Sequence, residues 1–374
     1  MRFGINTRNL IPNKMEGFGH YTFEIVSRLI SAHPEHEFIL FYDRQIDPPF
    51  NFGTNAYEVV VSPPTRHPIL HLIWFEIKLP RALKKHKIDL FFSPDGYCSL
   101  RSKVPQVAVI HDINFEHNPK DLPKLVSIYL RYCFPKFAKK VKHIITVSSY
   151  SKADIVRTYA IEPDGITVIP NSSNEVFVPI SLPERSKVKA QWTRGKDFFL
   201  FVGSLHPRKN VQRLLDAFSI IASEDKDIKL VIVGTKMWRS TYLKIPLSVQ
   251  EQVVFTGHVP LDELAGITAS AMALVYVPYF EGFGIPLVES MQCGIPILAA
   301  NTTSLPEVAG NAAIYCDPFD TNQIAEGMRK LQKDDALRHE LSLNGLKRSK
   351  LFSWETSAQA VWKIIEATAK SKVS

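Results

Sequence analysis

At 374 residues the chain is long enough for two or three domains of ordinary size, and 45% hydrophobic with 22% charged residues is a composition that buries substantial cores. No apolar run approaches the ~20 residues that cross a bilayer, and no low-complexity tract signals broad disorder. Lys and Arg number 45 against 37 Asp and Glu, a net charge of +8. That excess suits nucleic acid, phosphorylated metabolites or acidic lipid, and charge alone does not choose among them.

Met1 to Ile5 leads straight into a strand-like run, so no signal peptide is expected. Cys98, Cys133, Cys293 and Cys316 lie far apart without CxxC spacing, which excludes a disulfide framework or thiolate zinc site and suits a reducing cytosol. The sequons at Asn171 and Asn301 then carry no weight.

Short apolar runs without polar alternation predict parallel strands covered on both faces at Arg2–Asn6, Phe38–Tyr42, Leu90–Ser93, Gln106–Ile110, His143–Val147 and Ile166–Ile169. Helical stretches lie between them, such as Tyr21–Ala32 and Ser149–Tyr159, the latter capped by Ser148 or Ser149. The rhythm returns at Phe198–Val202, Lys229–Val233, Val253–Thr256, Ala273–Val277, Ile295–Ala299 and Ala313–Tyr315. The intervening stretch is polar and carries Pro170, Pro179 and Pro183, so residues 176–195 are expected to be a linker. The reading is α/β: two doubly wound Rossmann-like domains, 1–175 and 196–354, facing each other across an interdomain cleft, with a capped terminal helix at 355–374. Ligands of such sheets bind beyond the carboxyl ends of strands.

The strongest motif is Glu281-Gly-Phe-Gly-Ile-Pro-Leu-Val-Glu289, which follows a strand and opens a helix. Gly282 and Gly284 let backbone approach a ligand, Pro286 suits the first helical turn, and the helix start offers amides to an anion such as diphosphate. The two carboxylates suit sugar hydroxyls; the plain alternative is two solvated acids around a turn. Arg208 and Lys209 follow the strand Phe198–Val202 and stand beside another helix start, where they would stabilise a diphosphate leaving group unless they are merely an exposed basic loop. His111 follows the strand Gln106–Ile110, placed either to reach a cleft or to hold local backbone.

In this order and spacing the chain resembles the retaining family 4 glycosyltransferases of GT-B fold. The resemblance rests on Glu281 to Glu289, Gly17-Phe-Gly-His-Tyr21, Val109-Ile-His-Asp112, Val202-Gly-Ser204, Pro207-Arg-Lys-Asn210, Ser304-Leu-Pro-Glu-Val308 and Asp317-Pro318. It implies that Glu281 holds hydroxyls of the donor sugar, Glu289 the nucleotide ribose, Arg208 and Lys209 the diphosphate, and His111 the sugar near the reacting carbon. Gly17, Gly19, Gly203, Ser204, Phe283, Gly284, Ile285, Leu287 and Val288 are then expected around the nucleotide sugar. Ser204 departs from members with an arginine there, leaving the grip to Arg208, Lys209 and amides. The resemblance also implies an acceptor-binding first domain, a donor-binding second domain and a terminal helix that returns to the first.

The Ile-His-Asp and Ser-Leu-Pro-Glu segments resemble those of mannosyltransferases that build bacterial surface polysaccharides, so the resemblance implies transfer of a hexose, mannose from GDP-mannose, to a glycan or lipid-linked acceptor. A nucleotide-sugar epimerase or hydrolase, or a non-catalytic binder, is the alternative. Acceptor recognition is expected from Asn9–His20, Pro63–Phe75 and Ile113–Leu125. No G-x-G-x-x-G, GK[ST] or HExxH motif appears. Asp225-Lys-Asp227 formally matches a metal-binding D-x-D but sits at the amino end of a strand, so no cofactor and no metal are expected. Basic residues between Lys124 and His143, with Arg81, Lys84, Lys85 and Lys87, would suit peripheral contact with an anionic membrane at the cytoplasmic face. An ordinary helix with a solvated face is the favoured reading there, since Pro135 interrupts the pattern. Nucleic-acid binding has no aromatic-interleaved basic motif to support it.

Overall fold

The computed structural model describes residues 1–12, 15, 17–235 and 243–371. Its contacts divide the chain into two units, residues 1–171 with 354–374, and residues 172–353.

The first unit is built on seven strands: Arg2–Asn6 (β1), Glu37–Tyr42 (β2), Ala56–Val60 (β3), Leu90–Ser93 (β4), Gln106–Val109 (β5), His143–Thr146 (β6) and Ile166–Val168 (β7). All pair in parallel in the order β3-β2-β1-β4-β5-β6-β7. Successive residues feed opposite cores, which explains the unbroken apolar runs. Phe38, Leu40 and Tyr42 join Tyr21, Ile25, Leu29, Val361 and Trp362, whereas Ile39 and Phe41 join Trp74, Leu79 and Leu83. The terminal helix Trp354–Lys370 belongs to this unit: Trp362 meets Phe3 at 5.1 Å between ring centroids, and Ser357 donates to the Pro170 carbonyl at 2.7 Å.

One strand, β3, was not expected. It lies at the sheet edge with Tyr57 and Val60 exposed, and so lacks the buried run that marks its neighbours. The helix Lys124–Lys140 passes through Pro135 without a break. Leu130, Cys133, Phe134, Phe137 and Ala138 bury its inner face on both sides of the proline, and that packing outweighs the missing N–H.

The second unit carries Phe198–Val202 (β8), Lys229–Val233 (β9), Val253–Gly257 (β10), Ala273–Tyr276 (β11), Ile297–Ala300 (β12) and Ala313–Cys316 (β13), all parallel in the order β10-β9-β8-β11-β12-β13. Within the expected linker, Leu182–Thr193 is a helix of this unit. Its start was readable: Ser181 caps the amide of Glu184, whose carboxylate returns to the Ser181 N–H at 2.8 Å, with Pro183 in the first turn.

Both sheets reverse direction of winding beside their first strand, between β1 and β4 and between β8 and β11. Loops leaving such neighbouring strands toward opposite faces open a crevice at their carboxyl ends, where ligands of this architecture bind.

Candidate active site

In the second unit the crevice between β8 and β11 is lined by Gly203–Asn210 on one side and Val277–Gly284 on the other. Gly203 has φ of +146°, a backbone conformation that favours glycine, and its backbone lies beside the Lys209 stem, where a Cβ would sit 3.8 Å from Cε. Behind it, Gly234 has φ of +153°, and a Cβ would fall 1.9 Å from the Gly203 carbonyl oxygen. Only glycine allows these two loops to stack this closely. The chain then makes a tight turn at Pro207–Lys209 and enters the helix Val211–Glu224 through Asn210 in the left-handed region at φ +61°. Asn210 donates to the carbonyls of Val277 at 2.9 Å and Pro318 at 2.6 Å, and Tyr279 N–H donates to the Arg208 carbonyl at 3.0 Å. These bonds sew the two sides of the crevice together.

The centre of the site is the Glu281 carboxylate. Its Oε2 accepts from Arg208 Nη1 at 2.9 Å, Lys209 Nζ at 2.5 Å and the Tyr276 hydroxyl at 3.0 Å, and Lys209 also donates to that hydroxyl at 2.5 Å. Burial alone would raise the Glu281 carboxyl, but Arg208 and Lys209 overcome it, and bonds from Lys209 and Tyr276 assist, holding the group at about 2. It is therefore ionised throughout the neutral range. All these bonds converge on Oε2, and none among the described residues is recorded to Oε1. Two cations against one carboxylate leave the cluster one positive charge in excess.

Gly284, at φ +94°, turns the chain into the helix Ile285–Gln292. A Cβ there would meet Leu305 at 2.8 Å. Ser304 holds the Glu281 carbonyl at 2.9 Å, so the loop after β12 braces this turn. Thr303, just before it, occupies the left-handed region at φ +58°, a costly conformation for a β-branched residue. Glu289 lies one turn into the helix. Burial pushes its carboxyl up to about 7, yet the side chain is only half-buried. A carboxyl group at the edge of the crevice can accept ligand hydroxyls.

The nine expected binding residues divide. Gly203, Ser204 and Gly284 shape the crevice by backbone, and Ile285 is half-buried in the first helical turn. The side chains of Phe283, Leu287 and Val288 are core: Phe283 packs edge-on against Phe352 at 5.6 Å, and the other two are fully buried. Their contribution to a ligand is limited to backbone. Tyr276, Asn210, Ser304 and Gly234 belong to the site although sequence reasoning gave them no role. Tyr276 ends an apolar strand and reads as core; Asn210 directly after Arg208-Lys209, and Ser304 at the head of Ser304-Leu-Pro-Glu-Val308, were the signals available.

Gly17, Gly19 and His111 meet in the first unit. Gly17 opens the helix Gly17–Ala32, and a Cβ there would touch nothing within 4 Å, so its surface is open. Gly19 serves packing instead, since a Cβ would lie 2.9 Å from the Asn9 carbonyl. The His111 ring sits 4.9 Å from Phe18 and edge-on to Tyr21 at 4.7 Å. Its Nε2 lies 2.9 Å from the Pro94 carbonyl, which can only accept, so Nε2 carries the proton. Burial holds the imidazole below its usual range, against the raising effect of that bond and of Asp112 and Asp95. The neutral ring therefore has Nδ1 as an acceptor. Asp225 accepts from Asp227 N–H at 2.9 Å and Gln332 at 2.7 Å, while Asp227 pairs with Lys196 at 3.0 Å. That segment is a turn at the amino end of β9.

Two Rossmann-like units, one of them with a basic crevice at its switch point, define an α/β protein of the kind that binds ligands beyond its strand ends. Comparison with known proteins gives the family. Residues 15–174 match Glycosyltransferase Family 4 and residues 184–348 match Glycosyl transferases group 1. The chain belongs to these glycosyltransferases and is a hexosyltransferase of that class. It is 29% identical over 364 residues to O-antigen chain mannosyltransferase B of Escherichia coli, covering 92% of this chain and 94% of that protein. It is 27% identical over 268 residues to O-antigen chain mannosyltransferase RfbU of Salmonella typhimurium, covering 70% and 71%. The solved structure of WaaG, a glycosyltransferase involved in lipopolysaccharide biosynthesis, superposes with a TM-score of 0.78 at 19% identity, covering 97% of this chain and 99% of that one. This likeness extends to the GT-B fold as a whole.

Proposed function

We propose that the enzyme transfers mannose from GDP-mannose, with retention at the anomeric carbon, to a glycan or lipid-linked saccharide during assembly of a bacterial surface polysaccharide. The names of the two mannosyltransferase relatives support the sugar and the pathway class. The observation that carries the site is the Glu281 carboxylate, bonded through one oxygen to Arg208, Lys209 and Tyr276 at the β8–β11 switch point.

In this reading the donor diphosphate lies against the net positive cluster and the start of the helix Ile285–Gln292, where amides and side-chain cations stabilise charge as it develops on the leaving group. Glu281 Oε1 accepts a donor-sugar hydroxyl, and Glu289 accepts from the ribose. His111 Nδ1 accepts a further sugar hydroxyl. The bond between the anomeric carbon and the diphosphate oxygen breaks through an oxocarbenium-like state. The acceptor hydroxyl oxygen bonds to that carbon on the same face, and its proton passes to the departing phosphate oxygen.

No metal or cofactor is assigned a part, because Arg208 and Lys209 supply the charge that a divalent cation would. A location at the cytoplasmic face of a membrane, with a lipid-linked acceptor, belongs to the same reading. Incubating the protein with a panel of nucleotide sugars and saccharide acceptors tests it. A mannosylated product with α-configured linkage, formed equally well in EDTA, is expected. Free sugar or an epimer as the sole product would replace the transfer reading, and rescue by Mg²⁺ or Mn²⁺ after EDTA would refute metal independence.

A further inference from the structure

The second unit has another concavity, at the edge of its sheet opposite the crevice. A cavity of about 310 Å³ opens beside Asp197, Met272 and Pro296, which stand just before β8, β11 and β12. The crevice lies beyond the other ends of the same strands. Four or five residues of strand put roughly 15 Å between the two.

Three walls enclose the cavity. The helix Leu182–Thr193 supplies Arg185 and Lys189, one turn apart and so on one face. The helix Asp335–Ser349 supplies Arg338, His339 and Ser342. The third wall is backbone, where the helices Leu261–Ser270 and Ile285–Gln292 both end. Gly294, at φ +67°, turns the chain against Ser342, and a Cβ there would lie 3.2 Å from the hydroxyl oxygen.

Two of the cations are matched and one is not. Lys189 pairs with Asp197 at 2.5 Å, and Arg338 pairs with Asp335 while donating to the Gln332 carbonyl at 2.9 Å. Among the described residues Arg185 has no ion pair, and its Nε is buried without a hydrogen-bond partner. A desolvated guanidinium N–H is costly to leave bare, and carboxylates and phosphates are the groups that match it. Burial and Glu289 push the Cys293 thiol up, to about 12, and Arg185 opposes them, so its charge is felt at the end of the helix Ile285–Gln292. The helix ends add a different chemistry. Their last carbonyls have no partner within the helix and suit hydroxyl donors.

We propose that this cavity binds a phosphorylated sugar, with its phosphate on Arg185 and Lys189 and its hydroxyls on Ser342, His339 and the helix-end carbonyls. A bare anion leaves the hydroxyl-seeking wall unused, and a neutral sugar leaves the Arg185 guanidinium unmatched. At about 310 Å³ the space is at the lower end for small-molecule sites, which fits one phosphorylated ring rather than a nucleotide sugar. Nothing in this site depends on the identity of the donor or the acceptor.

Calorimetric titration of the full chain tests it, with mannose 6-phosphate, glucose 6-phosphate, mannose and inorganic phosphate as probes. At least one sugar phosphate should bind more tightly than about 1 mM and at least about tenfold more tightly than phosphate, and mannose should give no heat. Arg185→Gln should weaken that binding by at least about tenfold, with Tm moved by no more than a few degrees. Ser342→Leu, which narrows the cavity, should weaken it as well. Lys187→Gln, the same charge change on the same helix outside the cavity, should leave it unaltered. Absence of binding by both sugar phosphates, or equal binding by wild type and Arg185→Gln, overturns the proposal. So does binding that Lys209→Met abolishes and Arg185→Gln leaves intact, which would place the ligand in the donor crevice. Phosphate bound as tightly as the sugar phosphates would overturn the part given to the sugar.

Discussion

The Nζ of Lys209 lies 2.5 Å from Oε2 of Glu281, although 72 residues separate them in the chain. The two meet because β8 and β11 are neighbours in the sheet and each side chain sits in the loop just beyond its strand. The contact does two things at once: it keeps a buried carboxylate ionised, and it fixes a lysine where a diphosphate would arrive.

Removing either partner separates these roles. Glu281→Gln leaves Arg208 and Lys209 facing each other without a counter-charge, and Lys209→Met leaves Glu281 with one cation. Each should lower kcat by about 10² or more. In wild type the depressed Glu281 group contributes about 3 kcal/mol at neutral pH by its shift from 4.5 to about 2. Its sign is that of a lowered acid: the stabilisation is complete above the unfolded value and is lost as pH falls toward 2. Urea unfolding of wild type between pH 5 and pH 2.5 should show that loss, and Glu281→Gln should show less of it. Near-normal turnover in either variant would remove the assigned role.

Glu289 gives the opposite dependence. Its group is raised to about 7, so the folded protein holds a proton there that the unfolded chain has lost, and this contribution disappears as pH rises through 7. Ribose hydroxyls donate better to the ionised form, so donor binding should tighten from pH 6 to pH 8 and release a proton near pH 6.5. Calorimetry in buffers of different ionisation enthalpy reads that proton directly. In Glu289→Gln the proton release and the pH dependence should both vanish, with donor affinity lowered by about tenfold.

His111 is held neutral, with Nε2–H given to Pro94. Two-dimensional ¹⁵N spectra should show that tautomer and a ring that protonates below the usual imidazole range. His111→Phe keeps the packing on Phe18 and Tyr21 but removes the Nδ1 acceptor, and kcat should fall by about 10-fold or more while Tm shifts only a few degrees. An unchanged kcat would assign the ring to structure alone.

Two glycines offer a steric contrast. Gly234→Ala would drive a Cβ to 1.9 Å from the Gly203 carbonyl, whereas Gly257→Ala, also at positive φ, meets nothing within 4 Å. The first should cost at least about 3 kcal/mol and weaken donor binding through the displaced Gly203 loop, and the second about 1 kcal/mol. Unfolding curves and donor thermal shifts on both variants compare the two effects.

What could be read from residues alone was whatever depends on short-range pattern. Strands such as Phe198–Val202 announce themselves because both their faces are buried, and the Gly-Pro-acid grammar of Glu281–Glu289 marks a turn into a helix start. The edge strand Ala56–Val60, half in solvent, has no such run. The helix Leu182–Thr193 hid behind prolines even though Ser181 and Glu184 spelled its cap. Pro135 looked like an interruption because local propensity ignores the core packed on either side of it.

Sequence by itself determined the α/β class, the two-unit plan and the motif residues, because these follow from periodicity, capping chemistry and backbone constraints within a few positions. Only the tertiary structure decided which atoms meet. It gave Oε2 of Glu281 to three donors, left Glu289 half-buried, turned Phe283, Leu287 and Val288 into core, and set the apolar faces of two basic helices outward. Those outcomes depend on strand order and on packing between residues far apart in the chain, where no local rule reaches.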